Sequence, residues 1–206
     1  MWQQMGDSGR QDVLESMGLL KAAPGLEEDM LGPYMKGLAR IGAPLRFTVE
    51  TIGRIHSFKL PGAIYENHHQ IIAARGTEWS GDQVVLAKDV PALSKWRAKA
   101  ECYASALGVA AKTGWKYVEG WIRAYRNGSV GHLMHAWAYD PASGLAIECH
   151  FKETEDIEYL GVIFEPEQVV EHMTATGYTG MFAADDRVNY DLLKRGVLGR
   201  DFTLKA

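Results

Sequence analysis

Cysteine is scarce in this sequence: Cys102 and Cys149 are the two present in 206 residues, too few for a disulfide framework. A free thiol keeps its reactivity in a reducing compartment, and a cytoplasmic setting is the simplest expectation. Long apolar runs are missing too. No stretch approaches the roughly 20 residues of a membrane span, and the opening MWQQMGDSGRQDV lacks the apolar centre of a signal peptide. Positive charge is not in excess. The 22 Lys and Arg against 26 Asp and Glu leave a net charge of −4, and no basic run or basic-aromatic cluster offers a nucleic-acid surface. The metal-site spacings CxxC and HExxH do not occur, and TGYTG and LPG lack the spacing of a phosphate-binding loop. No pattern calls for a cofactor or a metal. What remains is an ordinary globular composition, 47% hydrophobic and 23% charged, with enough chain to bury a core.

The chain divides by pattern near residue 90. Residues 1–90 read as an N-terminal extension, mostly helical and packed on the rest, and 91–206 as an α+β core. In the extension, DVLESMGLLKA and LEEDMLGPYMKGLARI space their apolar residues at helical intervals, with Pro33 set to kink the second. RFTVETI reads as a strand, GAIYENHHQIIAAR as a helix and DQVVLA as a short strand, with His56, His68 and His69 on the surface or in loops. Pro91 suits a first helical turn, so an alanine-rich helix is expected from there to Gly114, with a later start near residue 100 as the alternative. Three strand-like runs follow, WKYVEGWIRAY, HLMHAWAYD and LAIECHF, joined by the turn sequences RNGS and DPASG. A fourth, IEYLGVIFE, precedes helical PEQVVEHMTATG and NYDLLKRGVLG. A helix followed by an antiparallel meander is an α+β signature.

Chemistry concentrates in that core. A hairpin closing around DPASG sets His135 opposite, or nearly opposite, Glu148. In register the two share a face with Cβ atoms about 5 Å apart, whereas a one-residue slip separates them. A carboxylate facing an imidazole fixes its tautomer and stabilises its charged form, as a catalytic base requires. With the later helix start, Cys102 lies in a first turn, where backbone N–H groups and a nearby imidazolium favour the thiolate and can hold an oxyanion. The plain reading of Cys102 is a packed core thiol, and of His135 a satisfied histidine. Cys149 neighbours Glu148 on the strand and points to the other face. Trp137 shares the His135 face, and His150 that of Glu148. These two, with Glu101 beside the thiol, are the candidate substrate-lining residues. The rival chemistry is zinc held by Cys102, His135 and His150; His132 and Cys149 point away from that set.

The ordered pieces CYASA at 102–106, YVEG at 117–120, HAW at 135–137, IECHF at 147–151 and YLGVIF at 159–164 carry a resemblance. Together they resemble the transglutaminase-like branch of the papain-like cysteine enzymes, and above all its small, often phage-encoded members. The resemblance implies a cysteine-bearing helix packed on an antiparallel sheet and a catalytic triad of Cys102, His135 and Glu148. It implies acyl transfer or hydrolysis on an amide, with a protein or peptide as substrate. The chain departs from the family pattern in Glu148, where Asp is usual, and in Ser105, where Asn is common. Those departures suit the opposing expectation of a non-catalytic protein-binding module with the same fold.

Overall fold

The computed structural model describes residues 35–55, 60–98, 101–126, 129–188 and 190–195. The expected helix over 12–22 and the Pro33 kink lie outside them, whereas 35–40 is helical. The helices are α1 (Leu45–Ile55), α2 (His68–Arg75), α3 (Cys102–Thr113), α4 (Pro166–Thr176) and α5 (Asp191–Arg195). The strands are β1 (Thr77–Ser80), β2 (Val84–Leu86), β3 (Lys116–Arg126), β4 (Ser129–Asp140), β5 (Leu145–Glu148) and β6 (Ile157–Phe164). All six form one sheet in the order β1-β6-β3-β4-β5-β2, antiparallel throughout except for the parallel pair β2–β5. The fold is mixed α+β.

Three local expectations change. RFTVETI is helical within α1, because Leu45, Val49 and Ile52 are buried at the i, i+4, i+7 spacing of one helix face, outweighing its β-branched content. Thr48 and Thr51 turn their hydroxyls back onto the carbonyls of Pro44 and Phe47. The alanine-rich run is not one helix from Pro91, where a short 3-10 turn forms instead. Trp96 folds back against Gly108, whose added Cβ would lie 2.7 Å from the indole. A continuous helix would hold residues twelve apart about 18 Å from each other, so this contact and the helix exclude one another. Finally, the four strands are not a simple meander, since β6 returns to the far side of β3.

The sheet curls for a reason that chain length dictates. Strands β1 and β2 occupy its two ends yet are joined by Gly81–Gln83 alone. Six strands laid flat would put the outer two about 24 Å apart, whereas so short a connection reaches about 14 Å. The ends must therefore approach each other. The inner face collects an apolar cluster with members from every strand: Trp79, Val84, Val118, Ile122, Trp137, Ala146, Ile157 and Tyr159. The outer face, with Tyr117, Trp121, Ala136 and Leu160, packs against α1 to α5. Residues 77–86, placed by pattern in the extension, thus supply both edges of the sheet.

Helix α2 carries His68 and His69 in ordered roles. His68 Nε2 lies 2.9 Å from buried Asp185, and His69 Nδ1 accepts from Trp121 Nε1–H at 3.0 Å. Buried Arg123 ties the outer face to the chain before α1, donating to the Ala43 carbonyl at 2.6 Å and pairing with Glu158.

Candidate active site

The helix start decides what Cys102 is. Glu101 is extended (φ −116°, ψ 143°) and Cys102 is the first residue of α3, which ends at Gly114 in the left-handed conformation (φ 75°). The first intrahelical bond runs from Ser105 N–H to the Glu101 carbonyl at 3.0 Å. Helix geometry leaves the N–H groups of Cys102, Tyr103 and Ala104 without intrahelical acceptors, at the positive end of the helix dipole. The Cys102 thiol is half-buried and close enough to the His135 side chain to strengthen its hold on a proton.

His135 comes from β4, and the DPASG turn sets its partner. Asp140 Oδ1 accepts the Ala142 N–H at 3.0 Å and Oδ2 the Ser143 hydroxyl at 2.7 Å, with Gly144 left-handed at φ 76°. The resulting register pairs Ala138 with Ile147, so one residue further Glu148 falls diagonal to His135 on the same, inner face. His135 Nε2 stands 2.9 Å from Glu148 Oε2, with both side chains buried. The bond to Glu148 occupies Nε2 and leaves Nδ1 for the thiol.

Glu148 is saturated with donors. Its Oε2 also accepts the Tyr159 hydroxyl at 2.8 Å, and Oε1 accepts the backbone N–H groups of His150 at 2.7 Å and Phe151 at 2.9 Å. Burial works against its charge, but the His135 hydrogen bond and charge and the two amides outweigh burial and hold its carboxyl below the usual range. Burial likewise opposes a charged His135. The Cys102 thiol close by, the Glu148 hydrogen bond and the charges of both prevail and raise the imidazole to about 9. Such a site favours a carboxylate and an imidazolium beside sulfur, and a proton on His135 is available for delivery.

Ring packing fixes the imidazole plane. Phe151 stacks on it at 4.4 Å and 21°, and Trp137 lies near-parallel at 6.3 Å. Trp137, expected to line the substrate cleft, is fully buried and shapes the floor under His135. Its indole fits because two glycines face each other across β3 and β6, Gly120 and Gly161; a Cβ on Gly161 would sit 2.5 Å from the indole. His150 is half-buried with its ring 6.3 Å from that of His135, and Glu101 is exposed beside the thiol. Cys149 packs elsewhere, with Ala87, Leu93, Val109, Ala138 and Ile147, and burial pushes its thiol pKa up.

Two participants were not singled out from the sequence. Tyr159 and Phe151 lie within the quoted pieces YLGVIF and IECHF, but their contacts with Glu148 and His135 depend on where β6 inserts and how the chain turns after β5. Among the described residues, no group of three or more His, Cys, Asp and Glu is arranged to hold a metal ion. Nor is any helix there long and apolar enough to cross a membrane. No protein-family model, no curated protein and no solved structure matches this chain, and what it does must be read from these side chains.

Proposed function

We propose that this chain performs cysteine-dependent acyl transfer or hydrolysis on an amide, within a core of papain-like and transglutaminase-like type. The observation that carries the proposal is a single imidazole bonded to a buried, fully bonded carboxylate and acted on at close range by the thiol at a helix start. In this reading His135 takes the Cys102 proton and the thiolate attacks the amide carbonyl carbon. A C–S bond forms, and the carbonyl π pair moves to oxygen, where the Cys102 N–H stabilises it. Collapse breaks the C–N bond as His135 protonates the leaving amine. The thioester is then taken by water, giving a peptidase, amidase or deamidase, or by a second amine, giving a transglutaminase. Glu148 orients His135 and stabilises its cation throughout.

The test is the iodoacetamide alkylation rate of Cys102 from pH 5 to 9, read by mass spectrometry with buried Cys149 as internal control. Reaction at pH 6 that falls steeply in His135→Ala is the expected result. A Cys102 inert until the protein unfolds would sink the enzyme and leave a protein-binding module as the better description.

A further inference from the structure

Glu119, the acid of the YVEG stretch, has no part in the chemistry above, yet it is fully buried on the outer sheet face. Its Oε2 accepts the Tyr117 hydroxyl at 2.8 Å and the Met181 N–H at 2.6 Å, and its Oε1 accepts the Phe182 N–H at 3.0 Å. The next amide, that of Ala183, also favours the charged carboxylate. Successive amides turned towards one carboxylate make an anion-binding concavity, here filled from within the chain. Burying a carboxylate costs several kcal/mol before its bonds repay it. An apolar side chain would fill the space at lower cost but could not fix the path of residues 181–183.

That path matters because of what precedes it. Tyr178 packs on Tyr103, the residue after Cys102, with ring centroids 5.9 Å apart and planes tilted by 56°. Arg187 lies over the Tyr178 ring at 5.7 Å and donates to the Thr176 carbonyl at 3.0 Å, steadying the same loop from outside. Tyr103 and Tyr178 both lie within electrostatic reach of Cys102 and Glu119.

We propose that Glu119 is a positioning residue for the acyl-transfer site: it latches residues 178–183 to the sheet so that Tyr178 and Tyr103 form an aromatic wall beside Cys102. The wall receives an aromatic side chain on the acyl part of a peptide substrate, since offset or edge-on ring contacts favour such a partner. This rests on the acyl-transfer reading.

The experiment compares two kinds of reagent on Cys102. Iodoacetamide needs no wall. A pair of N-acetyl-aminoacyl chloromethyl ketones, built on Phe and on Gly, offers or withholds a ring, and each alkylates as sulfur displaces chloride. Wild type is expected to react about tenfold faster with the Phe reagent than with the Gly reagent, the scale of a side-chain contact in an apolar site. Glu119→Gln and Tyr178→Ala should lose that preference while keeping the iodoacetamide rate, and Tyr178→Phe should retain it. Equal rates with the two ketones in wild type, with iodoacetamide labelling normal, overturn the wall alone. A preference surviving in Tyr178→Ala also overturns it, whether or not the Glu119 variant folds. A preference lost in Tyr178→Ala but kept in a folded Glu119→Gln overturns the latch. Failure of every reagent on native wild type overturns the acyl-transfer reading itself, and the wall with it.

Discussion

The imidazole of His135 holds its proton in the fold well above its ordinary range, being raised from 6.5 to about 9. Linkage gives the sign. The resulting stability is fully present below about pH 6.5 and is lost as pH rises through 9, on the order of 3 kcal/mol in all. Glu148 acts at the other end: its lowered carboxyl contributes stability above its ordinary range and loses it as pH falls through the folded value. Urea unfolding should therefore show a fall in stability between pH 6.5 and 9.5 in wild type. Glu148→Gln, which keeps the shape and removes the charge, should flatten that slope. An unchanged slope would mean that Glu148 is not what holds the His135 proton.

At the scale of elements, the site depends on where strands permit close approach. Trp137 crosses Gly161, and an alanine there would put Cβ 2.5 Å from the indole and 2.8 Å from Val118. Gly161→Ala should cost about 1–3 kcal/mol, as overpacking does. It should also slow Cys102 alkylation at pH 6, because the displaced indole lies beneath His135; full reactivity in a destabilised variant would separate the floor from the chemistry. The elements also show what a sequence can disclose. The His135–Glu148 pair was legible because both sides of one short turn, DPASG, fix its register locally. The start of α3 was legible only as an alternative, since residues 92–101 have helical composition and the Trp96–Gly108 contact that forbids a helix there is tertiary. The YVEG acid and Tyr159 stood in plain view without a role, because the amides that meet Glu119 come from loop 181–183 and Tyr159 reaches Glu148 only through the insertion of its own strand, β6, beside β3.

At the scale of the whole sheet, a short link, Gly81–Gln83, joins the two ends of the curl. Each end strand has its own partner, β1 on β6 and β2 on β5, so the link contributes mainly closure entropy. Inserting eight Gly and Ser residues after Asp82 should cost about 1 kcal/mol and leave the pH profile of Cys102 alkylation unchanged. A loss of several kcal/mol would show that the turn itself clamps the sheet. The same arrangement sets an order of events during synthesis. Residues 77–86 leave the ribosome long before their partners at 145–148 and 158–161 exist, a delay on the order of 10 seconds at common translation rates. For that interval Trp79 and the Val84–Leu86 run stand without a sheet to join, a natural handhold for a chaperone.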